Sequence, residues 1–205
     1  MTADLVLAGL NVSRETEQRL RDFVLLLGKW NAAINLISRS TVGQVWSRHI
    51  LDSAQIFSYG SSARRWVDLG SGGGFPGIVV AILAVELTPD MKITLVESDQ
   101  RKAAFLRQAG QSLGLEIDVI ADRIEAISSL SADVVSARAL APLPQLCGFA
   151  KAHLAPEGAA IFLKGKSCDL EIADARKDWN FSLESHASIT DPSAVVLVLK
   201  EISDV

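Results

Sequence analysis

Cysteine, long apolar runs and excess basic charge are all scarce in this 205-residue chain, and each scarcity excludes a class of protein. Cys147 and Cys168 stand apart, without metal-ligand or C-x-x-C spacing, which argues against a disulfide scaffold, a zinc module or a dithiol redox site. Two such thiols without an export signal read as reduced and cytoplasmic. The longest uninterrupted apolar run, near Ile78 to Val85, is far short of the ~20 residues that cross a bilayer. The opening MTADLVLAGLNV has no basic head, so neither a signal nor a transit peptide is expected. There is no repeat or low-complexity tract, and a metal is not expected. The net charge of −4 speaks against general nucleic-acid affinity. Residues 1–65 nevertheless hold eight Lys/Arg against five Asp/Glu, so one positive face and a local RNA contact remain open.

What the chain does have is a glycine turn. The stretch WVDLGSGGGFPGIVVA, Trp66 to Ala81, passes from an apolar strand through glycines 70, 72, 73 and 74 into an apolar helix behind Pro76, whose missing N–H suits a first helical turn. Glycine admits positive φ and lets a ligand approach bare backbone, and a helix start presents unpaired N–H groups. The next strand-like run, KITLVE, ends in Glu97, placed where a carboxylate could hold both hydroxyls of a ribose. The combination describes a nucleoside-cofactor site.

Two cofactors compete for it. Gly72, Gly74 and Gly77 satisfy G-x-G-x-x-G, and Glu97 follows at the distance of a dinucleotide fingerprint. A dinucleotide, however, seats its pyrophosphate on the helix N-terminus, where this chain places bulky Phe75 and a proline. S-adenosylmethionine has no phosphate to seat. Its ammonium would use an acid such as Asp68, its carboxylate the glycine amides, and its ribose Glu97, so this cofactor is favoured. A glycine turn that only packs strand on helix is the bland alternative.

Along the chain, Ser13 caps a helix carrying Leu20, Phe23, Val24, Leu27 and Ile34, and a second helix is expected from Thr41 to about Phe57. This gives an N-terminal helical extension, residues 1–62, packed on a core domain, residues 63–205. From residue 66 strands and helices alternate, ending in WNFSLES and AVVLVLK with no helix between them, which predicts an antiparallel pair closing a parallel sheet. The fold class expected is α/β, a Rossmann-like sheet of seven mostly parallel strands with an antiparallel last strand, as in class I methyltransferases. Asp68, Glu97, Asp122, Arg138 and Lys164 fall at strand ends and should gather in one cleft. A structural ion pair of Arg138 with Glu97 or Asp122 is the alternative to a ligand contact.

Methyl transfer from a sulfonium depends mainly on alignment and exclusion of water. No Asn-Pro-Pro-aromatic turn follows the fourth strand, and neither cysteine ends a strand beside a base, which weakens adenine-amino and covalent pyrimidine chemistry. A ring nitrogen of guanine, with its own lone pair, needs no general base, so no catalytic residue is named.

The residues Trp30-Asn31, Asn35-Leu36, RHILDS at 48–53, VDLGSGGGFPG at 67–77, LVES with RKAAFLRQ at 95–108, DRIE at 122–125, SARALAPL at 136–143 and FLKGK at 162–166 carry a resemblance that covers most of the chain. The chain resembles the bacterial small-subunit ribosomal RNA methyltransferase family RsmG, also called GidB. That resemblance implies methylation at the seven position of a guanine in the 530 loop of 16S rRNA, free or within the small ribosomal subunit; the protein itself is expected to be a monomer. By position it puts cofactor contacts on Gly70, Phe75, Ile124, Glu125 and Arg138, beside the Gly72 and Glu97 read from the residues themselves. For RNA, Arg123, Lys164 and Lys166 project from strand ends. Arg48 is a further candidate, although Asp52 is spaced to pair with Arg48 or to fix His49. Trp30 and Trp46 read as packing. Two other functions stay open: a dinucleotide-dependent oxidoreductase, and a non-catalytic RNA-binding assembly factor.

Overall fold

A computed structural model describes residues 5–205, so the first four residues of the opening stretch lie outside it. A short antiparallel hairpin, β1 (Leu5–Leu7) and β2 (Leu10–Val12), leads into α1 (Arg14–Ile34). Ser13 caps α1 by accepting from the Thr16 amide at 3.2 Å. Both Ser13 and Thr16 also donate to the Glu86 carboxylate, fastening the start of α1 to a helix seventy residues on.

The expected second helix over 41–57 is broken. A 3-10 turn (Val42–Gln44) is followed by a π-helical turn (Trp46–Leu51), the short α2 (Asp52–Ala54) and another 3-10 turn (Phe57–Tyr59). The cause is visible at Arg48. The Asp52 amide bonds to the His49 carbonyl, and the Arg48 carbonyl instead accepts from Arg138 at 3.0 Å. Ile50, Ile56 and Phe57 still face inward, whereas Val42 is exposed.

The remaining strands are β3 (Arg65–Leu69), β4 (Lys92–Val96), β5 (Ile117–Ile120), β6 (Ala132–Arg138), β7 (Leu154–Lys164), β8 (Trp179–Ala187) and β9 (Val195–Asp204). They form one sheet in the order β5-β4-β3-β6-β7-β9-β8, parallel as far as β7 and antiparallel at β7/β9 and β9/β8. The seven-stranded sheet with a terminal hairpin is therefore as expected. Its helices are α3 (Gly77–Leu87), α4 (Gln100–Leu113), α5 (Leu143–His153) and α6 (Cys168–Ala175).

Helix α3 explains why the N-terminal residues fold onto the sheet. Ile78 through Ala84 are all buried, so the helix has no face for water until its last turn, where Val85 and Glu86 are exposed. Each large aliphatic side chain removed from water contributes about 1.5–3 kcal/mol. A sheet covers one side only. Leu20, Phe23 and Leu27 of α1, with Ile50 and Ile56, close the other and belong to the same apolar cluster. Among the described residues no helix is long and apolar enough to cross a membrane.

Candidate functional site

Parallel strands deliver their carboxyl ends to one edge of the sheet, and there a cavity of about 870 Å³ opens. Gly70, Gly72, Phe75, Glu97, Ile124, Glu125 and Arg138 all line it, together with Arg48, Asp122, Arg123 and Lys164. Lys166 sits exposed on the turn after β7 and is not part of the lining.

The glycine turn is shaped as its composition demands. Gly70, Gly72 and Gly74 have φ of 64°, 54° and 88°. A Cβ on Gly70 would come within 2.5 Å of Leu140, whereas one on Gly72 would meet only the Gly70 carbonyl, at 3.8 Å. Bare backbone thus faces the cleft at Gly72. The amides of the turn, by contrast, largely hold the turn itself. Gly72 N–H donates to Glu97, and those of Gly74 and Phe75 donate to the Ser71 carbonyl. The open row of glycine donors expected for a ligand carboxylate is consequently reduced.

Glu97 is 7% exposed and accepts at both oxygens, from the Gly72 amide and from the Asp99 amide, each at 2.8 Å. Each carboxylate oxygen has a second lone pair. Two fixed acceptor sites therefore remain at the end of β4, the arrangement a ribose diol fits.

Asp68 does not join the cleft, contrary to the expectation that it would meet a ligand ammonium. It is fully buried beneath the turn, accepting from the Gly77 amide at 3.1 Å and from the Ser136 hydroxyl at 2.8 Å, while Trp66 Nε1–H donates to Ser136 at 2.9 Å. Burial pushes its pKa up to about 6, against the opposing pull of those hydrogen bonds. Its place is that of a capping group for α3 at the centre of the fold.

Arg138, at the end of β6, pairs with neither Glu97 nor Asp122. Its guanidinium donates to Asp52 at 3.2 Å, to the Arg48 carbonyl at 3.0 Å and to His49 Nδ1 at 2.8 Å, and lies 4.9 Å from the Phe75 ring centroid. Since arginine only donates, His49 Nδ1 must accept. Nε2 then carries the proton and donates to Thr41 Oγ1 at 3.0 Å. Burial, with the positive charge of Arg138 and then Arg48, lowers the His49 pKa to about 4. An NMR titration of this ring should therefore give a midpoint near 4; a midpoint near 6.5 would exclude the arrangement. The sign for stability follows. Between about pH 4 and 6.5 the unfolded chain binds the proton more readily, so this residue's contribution is intact above 6.5 and falls as pH drops.

Asp52 was expected to pair with Arg48 or fix His49, yet it does neither. It bonds Arg138, Gln55 and Thr190, while Arg48 pairs with Asp191 at 2.9 Å. Gln55 in turn accepts from the Ile189 amide and donates to Ser188. The loop between β8 and β9 is thereby laced onto residues 48–55 and becomes one wall of the cavity. Lys164 bonds the Ala141 carbonyl and pairs with Glu171, whose carboxylate also caps α5 at the Leu143 amide. Of the RNA candidates, Arg48 and Lys164 are thus engaged within the protein, whereas Arg123 and Lys166 are exposed and have no ion-pair partner among the described residues. Trp30 packs against Phe105, and Trp46 lies under Arg21, in keeping with packing roles. Cys147 and Cys168 are buried thiols with pKa values raised by burial, and no acidic or His/Cys cluster able to hold a metal occurs among the described residues.

The family model described as rRNA small subunit methyltransferase G (GidB) matches residues 16–195. Relatives named Ribosomal RNA small subunit methyltransferase G include one from Cereibacter sphaeroides, 54% identical over the whole of both chains, and one from Paracoccus denitrificans, 51% identical over 92% of this chain and 96% of its own. Among solved structures, a SAM-dependent methyltransferase from Aquifex aeolicus superposes with a TM-score of 0.59 at 11% identity, covering 84% of this chain and 97% of its own. An O-methyltransferase from Bacillus cereus in complex with SAH gives 0.59 at 13%, covering 88% and 91%. At such identities the structural likeness speaks for the fold.

Proposed function

The chain belongs to the rRNA small subunit methyltransferase G (GidB) family, and from that premise we propose that it transfers a methyl group from S-adenosylmethionine to the seven position of a guanine in the 530 loop of 16S rRNA. The observation that carries the cofactor half is Glu97, with both oxygens fixed by backbone amides and a lone pair left on each at the rim of the cleft. When bound, S-adenosylmethionine supplies an electrophilic methyl on a sulfonium. The residues present fit it. Glu97 would hold the ribose hydroxyls, Gly70 and Gly72 would give backbone clearance, and the turn bearing Ile124 and Glu125 would flank the base.

Arg138 and Phe75 form a wall rather than an acid–base pair. A guanidinium clasped by Asp52 and laid over an aromatic ring holds its position, and positioning is what a displacement at carbon needs. No proton acceptor is required, because the attacking guanine nitrogen carries its own lone pair. The broken helix over 46–54 and the β8–β9 loop line the far side of the cleft. Of the RNA candidates, Arg123 and Lys166 have no ion-pair partner among the described residues and are available to phosphate, whereas Arg48 and Lys164 would have to exchange protein partners first. The substrate reading is tested with radiolabelled S-adenosylmethionine and undermethylated small ribosomal subunits, followed by nucleoside analysis. Label in 7-methylguanosine from the 530 loop is the expected result, and label in another nucleoside overturns the target.

A further inference from the structure

His153 ends α5 and is 1% exposed. Its Nε2 lies 3.1 Å from the carbonyl oxygen of Ile124, and its Nδ1 has no hydrogen-bond partner among the described residues. A carbonyl only accepts, so Nε2 carries the proton. A buried imidazole with one nitrogen unpartnered is costly. An apolar side chain would fill this position without that cost, so the single hydrogen bond calls for a reason.

What it holds is the turn after β5. Ile124–Ala126 is one 3-10 turn whose preceding residue, Arg123, offers no side-chain cap, and its local closure is the Ala126 amide to the Arg123 carbonyl at 3.0 Å. Such a turn is weakly determined by itself. Burial of the Ile124 side chain fixes one side, and His153 fixes the carbonyl. The turn carries Asp122, Arg123, Ile124 and Glu125 into the cavity. Asp122 accepts from the Arg123 amide at one oxygen, leaving the other to take a donor.

We propose that His153 is a positioning residue for recognition of the cofactor's purine: by fixing the Ile124 carbonyl from behind, it sets the turn at the height where Asp122 accepts from an exocyclic amine. This rests on the reading of the cleft as a nucleoside-cofactor site. A purine with an amine at position six is a donor toward Asp122, whereas the six-oxo analogue turns an acceptor toward it, so the two probes report the turn's placement directly.

The test measures calorimetric dissociation constants of the full chain for S-adenosylhomocysteine and for S-inosylhomocysteine. The wild type should prefer the adenosyl probe. His153→Phe should weaken adenosyl binding about tenfold and shrink the preference by a similar factor, while His153→Gln, which can still donate to the carbonyl, should retain both. His153→Leu serves the same purpose if phenylalanine overfills the site. Equal affinity of the wild type for both probes overturns the proposal. So does a loss of the same size in the glutamine variant, or a loss that spares the preference, which is what general loosening would give. Unchanged binding in Glu97→Ala would instead overturn the cleft assignment itself.

Discussion

Replacing Glu97 by alanine is expected to weaken S-adenosylmethionine binding by about a hundredfold or more while the protein remains folded. Hydrogen bonds to a charged group contribute about 1.5–3 kcal/mol each, and the two that a ribose diol would make amount to at least ~3 kcal/mol, or roughly two decades in affinity. The carboxylate also organises the site before any ligand arrives. It joins the Gly72 amide of the glycine turn to the Asp99 amide, which opens α4. Asp99 is itself the side-chain cap of α4, accepting from Arg101 and Lys102. Glutamine at position 97 preserves the shape but must turn its NH₂ group toward one of two N–H donors, so Glu97→Gln should also bind poorly. Calorimetry measures the affinity, and circular dichroism with thermal unfolding separates it from loss of fold. Unchanged affinity in Glu97→Ala would refute the ribose assignment. Saturable NAD binding without S-adenosylmethionine binding would favour the dinucleotide alternative.

Glu97 also illustrates what the sequence made legible. It follows a five-residue strand, and the parallel order brings that end beside the glycine turn, so two local patterns and one topological rule sufficed. Ile124 and Glu125 reach the cleft by the same rule, although their part in a site came from family resemblance, since by composition Ile124 is a core residue. Asp52 shows where such reasoning stops. Its spacing from Arg48 and His49 suggested an ordinary helical pair, yet besides the nearby Gln55 its partners are Arg138 and Thr190, 86 and 138 positions away. Helical periodicity likewise hid the break at 46–54, because the cause is a side chain from β6 claiming the Arg48 carbonyl. The loop 188–194 has neither apolar period nor motif, and its role as a wall comes entirely from polar contacts with residues 48–55. Asp68 was legible as an acid at a strand end, but not which way its carboxylate would turn.

That direction yields the second large effect. Asp68→Ala should destabilise the fold by about 3 kcal/mol or more, because the Gly77 amide and the Ser136 hydroxyl lose their acceptor in a site without water access, each at about 1–3 kcal/mol. Asp68→Asn should be far milder at neutral pH. Its carbonyl oxygen can accept from Gly77, and its NH₂ can donate to the second lone pair of Ser136, whose first takes the Trp66 indole N–H. The two variants therefore separate loss of hydrogen bonding from loss of charge. The pH dependence then isolates the charge. With its pKa raised from 3.8 to about 6 by burial, Asp68 binds a proton more tightly folded than unfolded, so its effect on stability is most favourable below about pH 4 and is lost as pH rises through 6. At ~1.4 kcal/mol per unit, and with the unfolded carboxyl already partly protonated at pH 4, the wild type should gain about 2 kcal/mol relative to Asp68→Asn between pH 7 and pH 4. His49 acts with the opposite sign over much of that range, but it is present in both proteins and cancels in the difference. Denaturant titrations of the pair at the two pH values measure it directly. A wild-type-minus-asparagine difference that does not change with pH would mean that Asp68 ionises in the folded protein as readily as in the unfolded chain, and that burial beneath the turn does not raise its pKa.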